Sequence, residues 1–139
     1  MSRFKFAATL AIALSAAACS NNNTVTAPTP TTTPVSVTDT FNGTLNRNGA
    51  ASFPFNVSAQ GVVYATLTSV ADTTVPMGFS LGIWNTTTSV CSMVLSNDAA
   101  VQGTTLTGSA TNIGQLCVRV YDVGKLVDPL DYQLTVVHY

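Results

Sequence analysis

The sequence predicts an all-β protein, an antiparallel β-sandwich of about seven or eight short strands behind an exported front end. Three observations predict it. Apolar and polar residues alternate with a period of two in run after run, clearest in Leu116, Val118 and Val120 and again in Tyr132, Leu134 and Val136. Turn residues punctuate those runs about every eight to twelve positions. Helix formers are scarce: of 139 residues 8% are charged, all 6 acidic residues are aspartate, and no stretch carries a helical apolar stripe. Threonine and asparagine supply the polar surface instead, and β-branched threonine packs well on a pleated face.

Residues 1–18 read as a signal peptide: Arg3 and Lys5 precede an apolar run from Phe6 to Leu14, and small residues follow up to Ala18. The run is too short to cross a bilayer, which takes about 20 residues. Ala16, Ala17, Ala18 and Cys19 resemble the lipobox of bacterial lipoproteins, with Ala16 where that family usually has leucine. The resemblance implies that Cys19 is acylated, becomes the mature N-terminus and anchors the chain in a membrane. Ser20 after it, in place of aspartate, implies sorting to the outer membrane. Ala16 and Ala18 also form an ordinary A-x-A cleavage site, so plain secretion is the alternative. The 3 cysteines favour the anchor: if Cys91 pairs with Cys117 in an oxidising compartment, Cys19 is left over, and acylation would occupy a thiol otherwise exposed.

From Cys19 to Val37 the chain has little to bury and reads as a disordered linker. Pro28, Pro30 and Pro34 among threonines favour extended polyproline II, so the segment spaces the domain on the order of 45 Å from its anchor at about 3.1 Å per residue.

Residues 38–139 form the globular domain. Phe41 and Leu45 bracket a first strand around Asn42 and Gly43, and Phe53, Phe55 and Val57 alternate in a second. Pro54 places that second strand at a sheet edge, where a missing amide donor does no harm. Val63, Ala65 and Leu67 share one face of a third, and Phe79, Leu81 and Ile83 one face of a fourth after the break at Pro76 and Gly78. Cys91, Met93 and Leu95 mark a fifth, and Leu106 a short strand before Gly108. The stretch Gln115 to Val137 reads as a closing hairpin whose connection is rich in turn formers: Asp122, Gly124, Asp128, Pro129 and Asp131. This phasing turns Cys91 inward and Cys117 outward beside Arg119, so a bond between them requires a strand end or a bulge.

The run FNGTLNRNGAASFPFNVSAQGVVYATLTS, with LCVRVYDVGKLVDPLDYQLTVVH near the C-terminus, resembles the bacterial pre-peptidase C-terminal domain. The shared features are Gly43 and Leu45, the alternation of Phe53, Phe55 and Val57, Gly61 with Leu67, and the closing valines with Tyr132 and Leu134. The resemblance implies a small jelly-roll-like β-sandwich serving as an accessory module for secretion, attachment or display, some of whose relatives bind calcium or insoluble polymers.

No pattern for catalysis stands beside this. There is no G-x-S-x-G, H-E-x-x-H or C-x-x-C, and the lone histidine, His138, reads as a strand-end residue, so an enzyme is not expected. Net charge is -1 and two of the basic residues sit in the signal peptide, which excludes a nucleic-acid surface. Asp122, Asp128 and Asp131, with Asp98 in a second oxygen-rich turn, read either as backbone caps or as ligands of calcium, the one cofactor in view. Trp84, with Tyr121 and Tyr64 on outward faces, reads either as cover for the sandwich or as a platform for a sugar ring. The expectation is a non-catalytic cell-envelope lipoprotein whose sandwich is a structural or binding module. Its partners are then the membrane through the anchor and envelope proteins or polysaccharide; the alternative is a carbohydrate or polymer binder assisted by calcium.

Overall fold

In a computed structural model, residues 32–139 are described; the expected signal peptide, Cys19 and the expected linker up to residue 31 lie outside them. Eight strands follow one another: β1 (Val37–Leu45), β2 (Ala50–Val57), β3 (Gly61–Val70), β4 (Met77–Asn85), β5 (Val90–Ala100), β6 (Thr105–Ala110), β7 (Gly114–Tyr121) and β8 (Leu130–His138). They form two antiparallel four-stranded sheets, ordered β1-β8-β3-β6 and β2-β7-β4-β5. Successive strands from β1 to β2, β2 to β3, β3 to β4, β5 to β6, β6 to β7 and β7 to β8 change sheet, which is the arrangement of an eight-stranded jelly roll.

The alternating residues meet between the sheets. Leu67, Leu134 and Val136 from one sheet and Phe79, Val118 and Val120 from the other are fully buried. The β1 and β2 side is sealed by aromatic rings: Phe41 stacks on Phe53 with centroids 5.0 Å apart, and Tyr132 meets Phe53 edge-on at 6.4 Å. Pro54 does lie on an edge strand, since β2 is outermost in its sheet.

Two readings are corrected. The segment Gln115 to Val137 is not a hairpin: β7 lies between β2 and β4 in one sheet, and β8 between β1 and β3 in the other. The connection 122–129 crosses between the layers, because both strands have one apolar face and each buries it against the other sheet. Asp122 shapes that connection, its Oδ1 accepting the amides of Gly124, Lys125 and Leu126 at 2.8, 2.9 and 3.1 Å while Leu126 is buried.

The second correction concerns Cys91, which faces outward. Leu81 pairs with Leu95 but the next residue, Gly82, pairs with Met93, so β5 carries an extra residue, Val94. That bulge reverses the phase of everything before it. Cys91 and Met93 therefore share the outer face with Cys117, and Cys91 and Cys117 form a disulfide with Cα atoms 5.8 Å apart. The bond links strands lying on either side of β4, and Gly82 of β4 pairs with Cys117: a Cβ there would stand 2.1 Å from the Ser92 carbonyl oxygen. A bridge of this kind persists in an oxidising space, which points to a location outside the cytoplasm.

Candidate functional site

The side of the sandwich opposite the aromatic seal is open. There the two edge strands are β5 and β6, and β6 offers the core Leu106, then Gly108, then Ala110. After Leu106 the inward positions carry no side chain and then a methyl, so β6 meets Leu81 with backbone alone at Gly108 and sends no long side chain toward Ile83 and Leu116. A cleft of about 730 Å³ results, within the range of about 300–1,000 Å³ that holds small ligands. Val63, Leu81 and Leu116 form its floor, and Ile83, Val94 and Ile113 stand at its rim. Ile83 keeps the inward phase expected of it yet is 56% exposed, and Ile113, in the loop before Gly114, is 70% exposed. No charged residue lines the cleft; its polar groups are the hydroxyls and amides of residues such as Thr107, Thr111, Asn112 and Gln115. An arrangement of this kind can take up an uncharged apolar group.

The outer face of the β2-β7-β4-β5 sheet carries a second polar cluster. The Tyr121 ring lies over Gly78, where a Cβ would come within 2.2 Å of it, and its hydroxyl donates to Asp98 on β5. Burial, and then the carboxylate of Asp98, hold the Tyr121 hydroxyl above the usual phenol range. The Arg119 guanidinium sits 5.6 Å from the Tyr121 ring centroid, and its buried Nε has no hydrogen-bond partner among the described residues.

The three aromatic residues read as a sugar platform are not brought together. Trp84 and Tyr121 share the outer face of one sheet, but Trp84 is at the far end of β4 from Gly78, the partner of Tyr121. Tyr64 is exposed on the other sheet. Trp84 instead borders the cleft.

The aspartates read as calcium ligands also part company. Asp122 accepts backbone amides with both oxygens, Oδ2 taking that of Asn48 at 2.8 Å, and these bonds hold its pKa below the usual carboxylate range, the Asn48 amide foremost. Asp131 accepts from Thr44 Oγ1 at 2.5 Å, Asp98 from Tyr121, and Asp128 is exposed. Among the described residues no three acidic, histidine or cysteine side chains gather around one point. His138 is buried at 3%, its Nε2 3.1 Å from Asp39 Oδ2 and its ring 5.0 Å from that of Phe55.

The cleft was absent from the sequence reading. Its trace there is small: Gly108 and Ala110 at positions where a strand facing the core should carry bulk, and an isoleucine stranded between Asn112 and Gly114.

The fold is similar to that in the crystal structure of Yersinia pseudotuberculosis-derived mitogen, with a TM-score of 0.57 at 16% identity over 76% of this chain and 88% of that one. At that identity the likeness is one of fold alone. No protein-family model matches the chain, and no curated protein matches it.

Proposed function

We propose that the chain is an exported, lipid-anchored binding module without catalytic activity, and that its β5/β6 cleft holds an apolar ligand. The cleft carries this reading: about 730 Å³ lined by uncharged, largely aliphatic residues and left open on the side opposite the Phe41–Phe53 stack. Exposed aliphatic groups of this extent cost a soluble protein solubility unless something covers them. The burial of His138 against Phe55 and its bond to Asp39 support the non-catalytic reading, since the single histidine is occupied in the core. Titration with Nile red, an uncharged apolar dye, tests the site. Saturable one-to-one binding accompanied by a change in Trp84 fluorescence is expected, and a dye that stays free at micromolar protein overturns the reading.

Export is supported by the Cys91–Cys117 bond, and anchoring by the lipobox-like Ala16 to Cys19 and the third cysteine it accounts for. The resemblance to the pre-peptidase C-terminal domain supports an accessory role in the envelope, displayed on the Thr/Pro linker. Metabolic labelling with a palmitate analogue checks the anchor: label on the wild type and none on Cys19→Ala is expected, while an unlabelled wild type ends the idea. A polysaccharide or polymer ligand is the weaker reading, because Trp84 and Tyr121 stand at opposite ends of one sheet face and Tyr64 lies on the other sheet.

A further inference from the structure

The eight strands give the sandwich two ends, and the charged side chains of the connecting loops all lie at one of them. At one end lie the start of β1, the finish of β8 and the loops 58–60, 86–89 and 111–113. Those loops contain serine, alanine, glutamine, threonine, asparagine and isoleucine, and no charged residue. The opposite end holds Arg47, Asp72, Asp122, Lys125 and Asp128 in its loops, with Asp98 and Asp131 on the strands beside them. Asp39 is near the uncharged end, but it is paired with His138 on the β1 side, across the sheet from β6.

Exposed apolar side chains are more numerous at the uncharged end: Val62, Ile83, Val90 and Ile113 are exposed there, against Val101 and Val127 at the other, and the cleft opens beside Val62, Ile83 and Ile113. Residues 32–36, exposed and outside any strand, enter β1 at this same end. Whatever holds the front of the chain therefore draws on the end that bears the cleft.

We infer that this end faces a lipid bilayer and that an acyl chain of a bilayer lipid enters the cleft, an inference that rests on reading the cleft as an apolar site. An uncharged, hydroxyl-rich rim avoids the cost of desolvating charge at the interface, and aliphatic tips gain from entering the acyl boundary. A polar tether attached at the same end lets the cleft reach that surface while the charged loops stay in water.

Quenching of the single tryptophan provides the test. The full chain carrying Cys19→Ala, which cannot be acylated, is mixed with phosphatidylcholine vesicles whose acyl chains are brominated. Trp84 borders the cleft, so its emission should fall with brominated and not with plain vesicles. Adding Ile83→Asp and Ile113→Asp to that chain should raise the lipid concentration for half-quenching at least tenfold, and Val127→Asp at the opposite end should leave it unchanged. All variants keep the same N-terminal residues, so differences among them belong to the two ends of the sandwich. Both isoleucines are exposed, and an unchanged melting temperature shows that the fold survives. Nile red separates the two levels of the proposal. If the dye binds but brominated lipid does not quench, or quenches all variants alike, the membrane-facing inference is overturned and the binding site stands; if the dye does not bind, both fall.

Discussion

Gly108 faces Leu81 across the two sheets so closely that a Cβ on the glycine would stand 2.8 Å from Leu81 Cδ2. The contact marks the inner boundary of the cleft: β6 approaches the opposite sheet here without a side chain, and beyond it the gap widens toward Ile83 and Ile113. The atom in the way is the end of a flexible side chain, so a larger residue can be admitted if Leu81 turns.

Gly108→Phe should therefore fill the cleft from within. Overpacking of this kind costs about 1–3 kcal/mol, which the fold should survive with unchanged far-ultraviolet circular dichroism. Nile red affinity should fall at least tenfold. Unaltered affinity in a folded variant would place the dye elsewhere.

Replacing Cys91 and Cys117 together by alanine should lower stability in urea by about 3–4 kcal/mol, the loop-closure entropy of a bridge spanning 26 residues. Gly82→Ala strains the same place by another route. Its Cβ would meet the backbone oxygen of Ser92 at 2.1 Å, and backbone cannot step aside as a side chain can. A loss of about 3 kcal/mol or more is expected with the disulfide still formed. A Gly82→Ala protein as stable as wild type would contradict the close approach of β4 and β5.

Asp122 should make stability depend on pH in a definite direction. Its carboxylate accepts four backbone amides, that of Asn48 foremost, and its folded pKa lies below the unfolded value. The contribution is complete above the ordinary carboxylate range and is lost as pH falls through the folded pKa. Asp122→Asn should thus melt below the wild type at pH 7, and the two melting temperatures should converge in acid. Calcium should leave the wild-type melting temperature where a chelator does, because these amides already occupy the oxygens of Asp122 and among the described residues no cluster gathers its neighbours.

Phe41 and Phe53 belong to different sheets, so their stacking couples the layers directly. A double-mutant cycle with leucine at each position should return a coupling of about 0.5–1.5 kcal/mol. A value near zero would mean that the rings only fill space.

The alternation of residues such as Phe55 with Val57 and Leu134 with Val136 determined the fold class by itself, because a period of two has one apolar face and that face must be buried. Pro54 likewise marked an edge strand, since a residue without an amide hydrogen cannot serve a central one. The tertiary structure alone decided that β7 and β8 belong to different sheets, that Val94 is an extra residue turning Cys91 outward, and that Gly108 and Ala110 leave a cleft. Each of these depends on which strand lies beside which. Pairing partners are chosen by contacts between residues far apart in the chain, and a local pattern of apolar and polar residues carries no record of them.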